Sequence, residues 1–520
     1  MSKEISFGHE ARTKIKGGID KAADAVRPTL GVVGMSAIIE YPGLDPIECD
    51  DGVTILKNLE FKDKYENLGL SKLRKAALRT STEGGDGTAT TTVLTQALVS
   101  EAFKEIANDS SKIREVRERL GKGLEEVLVE LSKLKREVTE DDIERIATIS
   151  SLDPEVAKLI AEVIKEVGIN GVITVEKGAQ LGYSKEIVKG ARFDKGLISP
   201  YFINDPESQS TVLNDPYIIL VDRVISTNEQ ILSLLNSIGT GKDILIIADQ
   251  VQSVALATLA QNAVNKIANI ACVQNPYSAS RAREFLFDMA ALTGATVISE
   301  EKGMKLDEAK SDVCGRAEKV IVTKDNTTII GGKTAKDLQL RIMGIQEEIA
   351  NTTSEYSKSI LEERLAQLTG GIGVIRVGAY TDTEFNAKKY KFENAINATQ
   401  AALQEGIVAG GGVSLAKLEV SEPMFQNALS APLKQMAENA GMDSYMVVHN
   451  TKISLGSKEH FENYGYDFKT KQAIDMFDAG IIDPYKVVRL ALESATAIAM
   501  SLVSIETAIV NEDEKVEKER

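Results

Sequence analysis

Residues 84–92 read Gly-Gly-Asp-Gly-Thr-Ala-Thr-Thr-Thr, three glycines and one carboxylate set directly before an apolar helical run over residues 93–107. Such a stretch suits an anion: glycine lets backbone N–H groups point into a turn, and the following helix adds the positive end of its dipole. A phosphate chain could lie there without lysine. Asp86 is the informative residue, because a carboxylate beside phosphate is repulsive unless a divalent cation bridges them, and Mg2+ is commonly held by one or two carboxylates plus phosphate oxygens. The stretch is therefore a candidate Mg-nucleotide site. The competing reading is a plain glycine-rich loop with Asp86 as a helix N-cap, and the local pattern fits either.

Other chemistry is sparse. Residues 239–243, Gly-Thr-Gly-Lys-Asp, lack the upstream glycine and the Ser/Thr of a P-loop, and no GxGxxG follows a strand, so this segment reads as an ordinary loop. His9, His449 and His460 stand apart from any Cys or carboxylate spacing that would make a ligand set or a triad, and read as surface or packing residues. Cys49, Cys272 and Cys314 are odd in number, far apart and free of any CxxC, which excludes a disulfide framework or zinc knuckle and suits a reducing compartment. Two further turns resemble the first in kind, Asp50-Asp51-Gly52 and Gly410-Gly411-Gly412. If the three converge, one site is assembled from both ends of the sequence.

The elements that must position these turns can be read from periodicity. Residues 11–26 are helical and stop at Pro28, after which Thr29-Leu30-Gly31 turns into a β-like run over 36–41. Asp50-Asp51-Gly52 reads as a hairpin turn before residues 53–56. Helices follow over 65–82, 93–107 and 113–134, the last dense in Glu, Arg and Lys at i,i+4 spacing and so solvated on one face. From residue 168 the pattern changes to strands at 172–175 and 184–188. Strand and helix then alternate through 217–221, 229–236, 244–248, 253–265 and 270–273, which predicts an α/β domain with parallel pairs. Residues 334–368 read as helical, 373–377 as a strand and 388–404 as a helix, with glycine pairs at joints that suit hinges. A last helical third ends in a charged tail, 511–520, that reads as disordered. No internal repeat is visible.

A chain of 520 residues should hold several domains, and 43% hydrophobic residues with 5% aromatic suit aliphatic cores in a cytoplasmic α/β protein. The formal charge of −16 and the absence of a Lys/Arg block argue against a nucleic-acid groove. The first dozen residues have no apolar targeting core, and runs such as 217–221 are too short to span a bilayer, so neither membrane nor export is expected.

A set of longer motifs then occurs in order: Thr29-Leu30-Gly31, Asp51-Gly52-Val53, Gly85-Asp86-Gly87-Thr88, Phe193-Asp194-Lys195-Gly196 and Ser199-Pro200-Tyr201-Phe202-Ile203-Asn204. It continues with Ala255-Leu256-Ala257-Thr258-Leu259, Thr296-Val297-Ile298-Ser299-Glu300-Glu301, Glu405-Gly406-Ile407-Val408-Ala409-Gly410-Gly411-Gly412 and Asp483-Pro484. Along essentially its whole length the chain resembles a group I chaperonin, the bacterial and organellar GroEL family. The resemblance implies a multidomain α and α/β fold with a mostly helical equatorial ATP-binding domain built from both termini, a small intermediate domain and an α/β apical domain. The implied boundaries are 1–132 and 405–520 for the equatorial domain, 133–187 and 371–404 for the intermediate domain, and 188–370 for the apical domain. Implied with them are stacked homo-oligomeric rings, seven-membered in the family, unfolded polypeptide clients, a GroES-type co-chaperonin, and ATP with Mg2+ and K+.

By the same resemblance Asp86 would hold Mg2+, while Thr29, Leu30, Gly31, Gly87, Thr88, Ala89 and Thr90 would line the phosphates. Gly411, Asp467, Phe468, Ile481 and Asp483 would face the base and ribose, and Asp51 would be one of two residues bearing on hydrolysis. The other position holds Asn394, where the family has an aspartate. Further departures are Asp50 in place of lysine, Ala89 within the threonine run, Val32-Val33-Gly34-Met35 in place of Pro-Lys-Gly-Arg, a tail without Gly-Gly-Met repeats and a shortened segment after Gly412. Nucleotide binding is thus implied more directly than turnover.

The client surface implied by the resemblance comprises Leu197, Tyr201, Phe202, Leu232, Leu235 and Leu256, with Ala260 and Gln261 where larger apolar residues are common. Spacing alone puts Leu232 and Leu235 on one helix face and Leu256, Ala260 and Gln261 on another, which suits either a shared groove or a core. Two functions follow as expectations: an ATP-driven folding chamber with slow or altered hydrolysis, or an assembly that binds nucleotide or clients without productive turnover, as a specialised paralogue, a viral version or a trapped variant would.

Overall fold

The computed structural model describes residues 2–40, 46–107, 110–151, 153–168, 171–178, 180–206, 208–299, 303–332, 335–352, 354–453 and 463–511. Within them the chain folds as two units, residues 1–162 with 381–520, and residues 163–380.

The first unit is helical because its apolar residues recur at helical spacing. Helices Gly8–Val26, Lys64–Gly84, Thr88–Ile106, Ile113–Lys133 and Tyr485–Val503 share one core. Ile15, Ile19, Leu73, Leu94, Leu98, Leu120, Leu492 and Leu502 are all buried there. Tyr485–Val503 is apolar on most of its circumference and runs through the centre, whereas Ile113–Lys133 buries only a stripe (Val116, Leu120, Val127, Leu131) and keeps its charges in water. Strand Lys3–Phe7 pairs antiparallel with Thr507–Asn511, which ties the two ends of the described chain together. Asn511, expected in a disordered tail, is therefore the end of a strand; residues 512–520 and His460 lie outside the described residues.

One element differs in kind from expectation. Residues 52–58 form a helix, Gly52–Asn58, and the acidic turn is its start, not a hairpin. The Asp51 carboxylate accepts hydrogen bonds from Val53 N at 3.2 Å and Thr54 N at 2.8 Å, satisfying N–H groups that a helix start leaves unpaired. The hairpin lies just upstream, strands Ala37–Ile39 and Ile47–Cys49.

The second unit is built on a sheet with strand order Val172–Lys177, Gly371–Val377, Tyr183–Phe193, Thr327–Gly332, Gly315–Val322, Tyr217–Ile225, Asp243–Val251 and Asn269–Gln274, with Thr211–Asn214 also pairing Gly315–Val322. The last three strands are parallel, as the strand and helix alternation predicts, with Tyr217 opposite Ile244 and Asp243 opposite Asn269. Helices Asn228–Ile238 and Ser253–Val264 are their crossovers. Alternation along the strand feeds two cores: Ile218 and Leu220 face Phe285 and Leu286, while Ile219 and Val221 face Ile231, Leu234 and Leu259. The helical stretch expected over 334–368 is two helices, Ala335–Asn351 and Glu355–Thr369. Among the described residues no helix is long and apolar enough to cross a membrane.

Candidate functional site

In the first unit the glycine-rich turn sits where backbone must pass very close to other elements. Helix Lys64–Gly84 ends at Gly85, whose φ is +83°. A Cβ at Gly85 would lie 2.2 Å from Asn397 Cβ and 2.6 Å from Ala398 N, and one at Gly87, with φ +92°, would lie 2.6 Å from Val487 Cγ1. Both the left-handed backbone and the close approach require glycine. The turn is held between helices Asp382–Glu405 and Tyr485–Val503 and launches helix Thr88–Ile106.

That launch leaves the helix start without a side-chain cap. Gly87 is the N-cap and has no side chain to accept the first N–H groups. The Asp86 carboxylate instead accepts from Gly87 N at 2.6 Å, one residue before the helix, so Asp86 is not the ordinary N-cap that the local sequence allowed. Thr88 is buried and Ala89 and Thr90 are half-buried on the first turn. Below them Thr91 Oγ1 bonds Thr80 Oγ1 at 3.1 Å, and Thr80 reaches Ser494 at 3.3 Å, fixing the helix to its two neighbours through hydroxyls.

The other two turns arrive at the same place. The missing Cβ of Gly52 would be 3.0 Å from Thr88 Cγ2, so the Asp51 turn packs on the start of the Thr88–Ile106 helix. Strand Ile407–Ala409 pairs antiparallel with Ile482–Pro484, Val408 opposite Asp483, and Gly410 N donates to Ile481 O at 2.9 Å. Asp483 Oδ1 lies 3.1 Å from the position of a Gly410 Cβ. Asp86 is open to solvent on one side and crowded by protein on the others; that crowding pushes its pKa up, the Gly87 N–H opposes it, and the charge of Asp51 adds to it. Asp483 is pushed up to about 7, first by burial and then by the charge of Asp86. The three turns thus converge, and they bring together carboxylates that repel one another.

A cation relieves that repulsion. Among the described residues no group of three His, Cys, Asp or Glu side chains could hold a metal ion by itself. A Mg2+ beside Asp86 would therefore need phosphate oxygens and water to complete its shell, which is its common mode of binding.

The remaining expected residues are placed as follows. Thr29 closes the short turn Arg27–Thr29, with its hydroxyl on Val26 O at 2.9 Å, and Leu30 and Gly31 continue it. Asn394 is half-buried on helix Asp382–Glu405, one turn before the Asn397 that touches Gly85 and so on the same face. Its neighbour Glu393 has its carboxyl pushed up by burial, with Lys389 opposing. Ile481 Cγ2 is 3.9 Å from the Cβ position of Gly411. Asp467 spends its carboxylate on its own turn, accepting from Lys469 N and from the Thr470 hydroxyl, both at 2.8 Å. Phe468 is buried in a core with Leu433, Ala437 and Val447. Two contacts had no cue in the sequence: Asn439, at the end of helix Ala431–Asn439, bonds the turn at 27–30, and Met436 packs on it. An Asn at a helix end reads as an ordinary cap.

In the second unit, Tyr201 is 68% and Leu232 39% exposed, Gln261 is exposed, and Leu197, Leu235 and Leu256 are half-buried. Phe202 is 2% and Ala260 8% exposed, both within the core that includes helices Asn228–Ile238 and Ser253–Val264. Val254, Val264 and Ile267, not anticipated, are exposed nearby in sequence.

The family model of the TCP-1/cpn60 chaperonin family matches residues 22–513. Among solved structures, the chaperonin gp146 from the bacteriophage EL 2 (Pseudomonas aeruginosa), crystallised in the presence of ATP-BeFx, is similar over 98% of this chain and 99% of that one. Its crystal form II gives a TM-score of 0.67 at 22% identity. Crystal form I gives 0.64 at the same 22% identity. At that identity the likeness is one of fold.

Proposed function

The chain belongs to the TCP-1/cpn60 chaperonin family, and from that premise we propose that it is an ATP-dependent molecular chaperone that captures unfolded polypeptides within an oligomeric ring and hydrolyses ATP slowly. The observation that carries the proposal is the convergence of the Asp51, Asp86 and Gly410 turns on an uncapped helix start. The family resemblance and the ATP-analogue complex of the phage chaperonin point the same way.

In this reading the backbone N–H groups of the Thr88–Ile106 helix start meet phosphate oxygens, with Thr29, Leu30, Gly31, Thr88, Ala89 and Thr90 around them and Asp86 holding Mg2+. Bound there, Mg2+ would neutralise phosphate charge, and K+ is a further cation the family suggests. Gly411, Ile481 and Asp483 lie toward the nucleoside. Hydrolysis needs a group to take a proton from water, and the two positions assigned to it are poorly equipped. Asn394 can orient a water through its amide but cannot accept its proton. Asp51 already accepts two backbone N–H groups and the Thr54 hydroxyl at 2.7 Å. That same pair favours a second reading, an assembly that binds nucleotide and clients without productive turnover.

Assembly has its own support. The hairpin Ala37–Ile39/Ile47–Cys49 exposes Ile38 and Ile47, and the sheet Lys3–Phe7/Thr507–Asn511 exposes Ile5, Phe7 and Ile509. Two different apolar, two-stranded edges on one unit suit a head-to-tail contact between copies, and such contacts close into rings when the rotation permits. Stacked seven-membered rings, a GroES-type partner and the three-domain division given above belong to the same proposal. Leu197, Tyr201, Leu232, Leu235, Leu256 and Gln261 would face the client.

A steady-state ATPase assay on the purified oligomer, with negative-stain imaging to count rings and subunits, tests this. Rings with slow, Mg2+-dependent turnover are expected. Rings that bind ATP with no turnover would favour the second reading, and monomers that bind no nucleotide would overturn both.

A further inference from the structure

Helix Ala431–Asn439 touches the turn at residues 27–31 and the Gly410-Gly411-Gly412 turn with one face. Asn439 Nδ2 lies 3.0 Å from Arg27 O, 3.2 Å from Pro28 O and 2.9 Å from Leu30 O. Three carbonyl oxygens around one atom identify it as the amide nitrogen, since only a donor is attracted to them. The carboxamide oxygen accepts from Gln435 Nε2 at 2.9 Å, so the amide is oriented from its own helix. Three residues earlier, and hence on the same face, Met436 Cγ is 2.7 Å from the Cβ position of Gly31 and its Cε 3.1 Å from that of Gly412.

We propose that Asn439, braced by Met436, is the positioning residue of the phosphate-binding turn at residues 29–31. The inference rests on the nucleotide reading above and deepens it. A turn can greet an anion only if its N–H groups, not its carbonyls, face the ligand. In a trans peptide the C=O and N–H of one unit point in opposite directions. Drawing Leu30 O onto Asn439 therefore points the Gly31 N–H the opposite way, and drawing Pro28 O onto Asn439 and Met35 N does the same for the Thr29 N–H. Without the amide, Arg27 O keeps Leu30 N at 3.2 Å and Pro28 O keeps Met35 N at 2.9 Å, but Leu30 O loses its donor, and the peptide between Leu30 and Gly31 is free to rotate that oxygen toward the phosphates. Met436 fills the space left by two missing side chains, Gly31 and Gly412, and so keeps the turn against the helix that orients it. Asn439 touches no ligand in this scheme; it acts through the turn.

The test is equilibrium binding of Mg·ADP and of adenosine to the intact assembly, for the unaltered protein, Asn439→Ala and Asn439→Asp. Asn439→Ala should weaken Mg·ADP about tenfold, the scale of one lost buried hydrogen-bond donor. Asn439→Asp, of the same shape but presenting oxygens to three carbonyls, should weaken it further. Adenosine, which has no phosphate, should bind all three alike. Equal loss for adenosine and Mg·ADP would show a merely structural role, and unchanged Mg·ADP binding in Asn439→Asp would overturn the inference outright. If either variant fails to fold, amide hydrogen exchange in the unaltered protein decides: Mg·ADP should protect the Gly31 amide, and no added protection there contradicts the proposal. Should the unaltered protein bind no Mg·ADP at all, the nucleotide reading fails first and the inference falls with it.

Discussion

Asn394 is the residue at which a single atom separates two functions. In the proposed reading it carries an amide where a carboxylate would accept a proton from water, and positioned general bases contribute on the order of 10²–10⁴-fold. Asn394→Asp should therefore raise the single-turnover hydrolysis rate by roughly 10²-fold or more while leaving ATP affinity near its starting value. An aspartate variant no faster than the unaltered protein would place the base elsewhere. Asp483 gives a second prediction at this scale. Its folded pKa, about 7, lies above the ordinary carboxyl value because of burial and then Asp86. A carboxyl raised in the fold prefers its proton there, so its stabilising contribution is present at low pH and is lost as pH rises through about 7. Without Mg2+, the midpoint of thermal unfolding should fall as pH rises from about 4 to about 7 and level off above that, and Asp483→Asn should flatten the fall. Identical pH profiles for the two proteins would contradict the electrostatic account. Asp86 was legible in the sequence because glycine on both sides of a carboxylate is an unusual local pattern. Asn439 was not, because its partners are backbone carbonyls more than 400 positions away.

At the scale of elements, the glycine turn works because two helices leave no room for a side chain. Gly85→Ala meets Asn397 at 2.2 Å and strains a left-handed backbone, whereas Gly182→Ala, at φ +96°, has nothing within 4 Å and carries only the strain. Each such strain costs about 1–3 kcal/mol. Chemical denaturation should therefore show Gly85→Ala destabilised beyond Gly182→Ala, with nucleotide binding lost only in the former. Equal effects would mean that the close packing of residues 84–87 on Asn397 is unimportant. The helix Gly52–Asn58 shows why element type was misread here: Asp-Gly is both a hairpin turn and a helix start, and only the two N–H groups that Asp51 receives decide between them. On helix Asn228–Ile238, Ile231 and Leu234 are buried while Leu232 is exposed and Leu235 half-buried, so core and outer face were separable by period but not by residue type. Leu235→Glu should abolish suppression of client aggregation and leave assembly and ATP binding intact. If the Glu variant instead unfolds, Leu235 belongs to the core on which it leans.

For the whole molecule, the sequence showed a helical first third, an alternating middle and a helical last third. In the structure the two units are 1–162 with 381–520 and 163–380, so the chain returns to the first unit at residue 381, before the glycine run at 410. Meeting of the chain's two ends in one unit could be expected only conditionally, since nothing local says that residues near 51, 86 and 410 approach one another. Their approach is carried by long-range packing: Val487 against Gly87, Asn397 against Gly85, and the pairing of Val408 with Asp483. The central claim is that this convergence makes a Mg2+-dependent nucleotide site centred on Asp86. It is tested most directly by equilibrium binding of ATP to the intact assembly, with and without Mg2+, in the unaltered protein and in Asp86→Ala. The account predicts binding that strengthens with Mg2+ in the unaltered protein, and a loss of at least about tenfold in the variant, confined to the Mg2+-dependent part, with assembly unchanged. Equal ATP affinity in the two proteins in the presence of Mg2+ would contradict it.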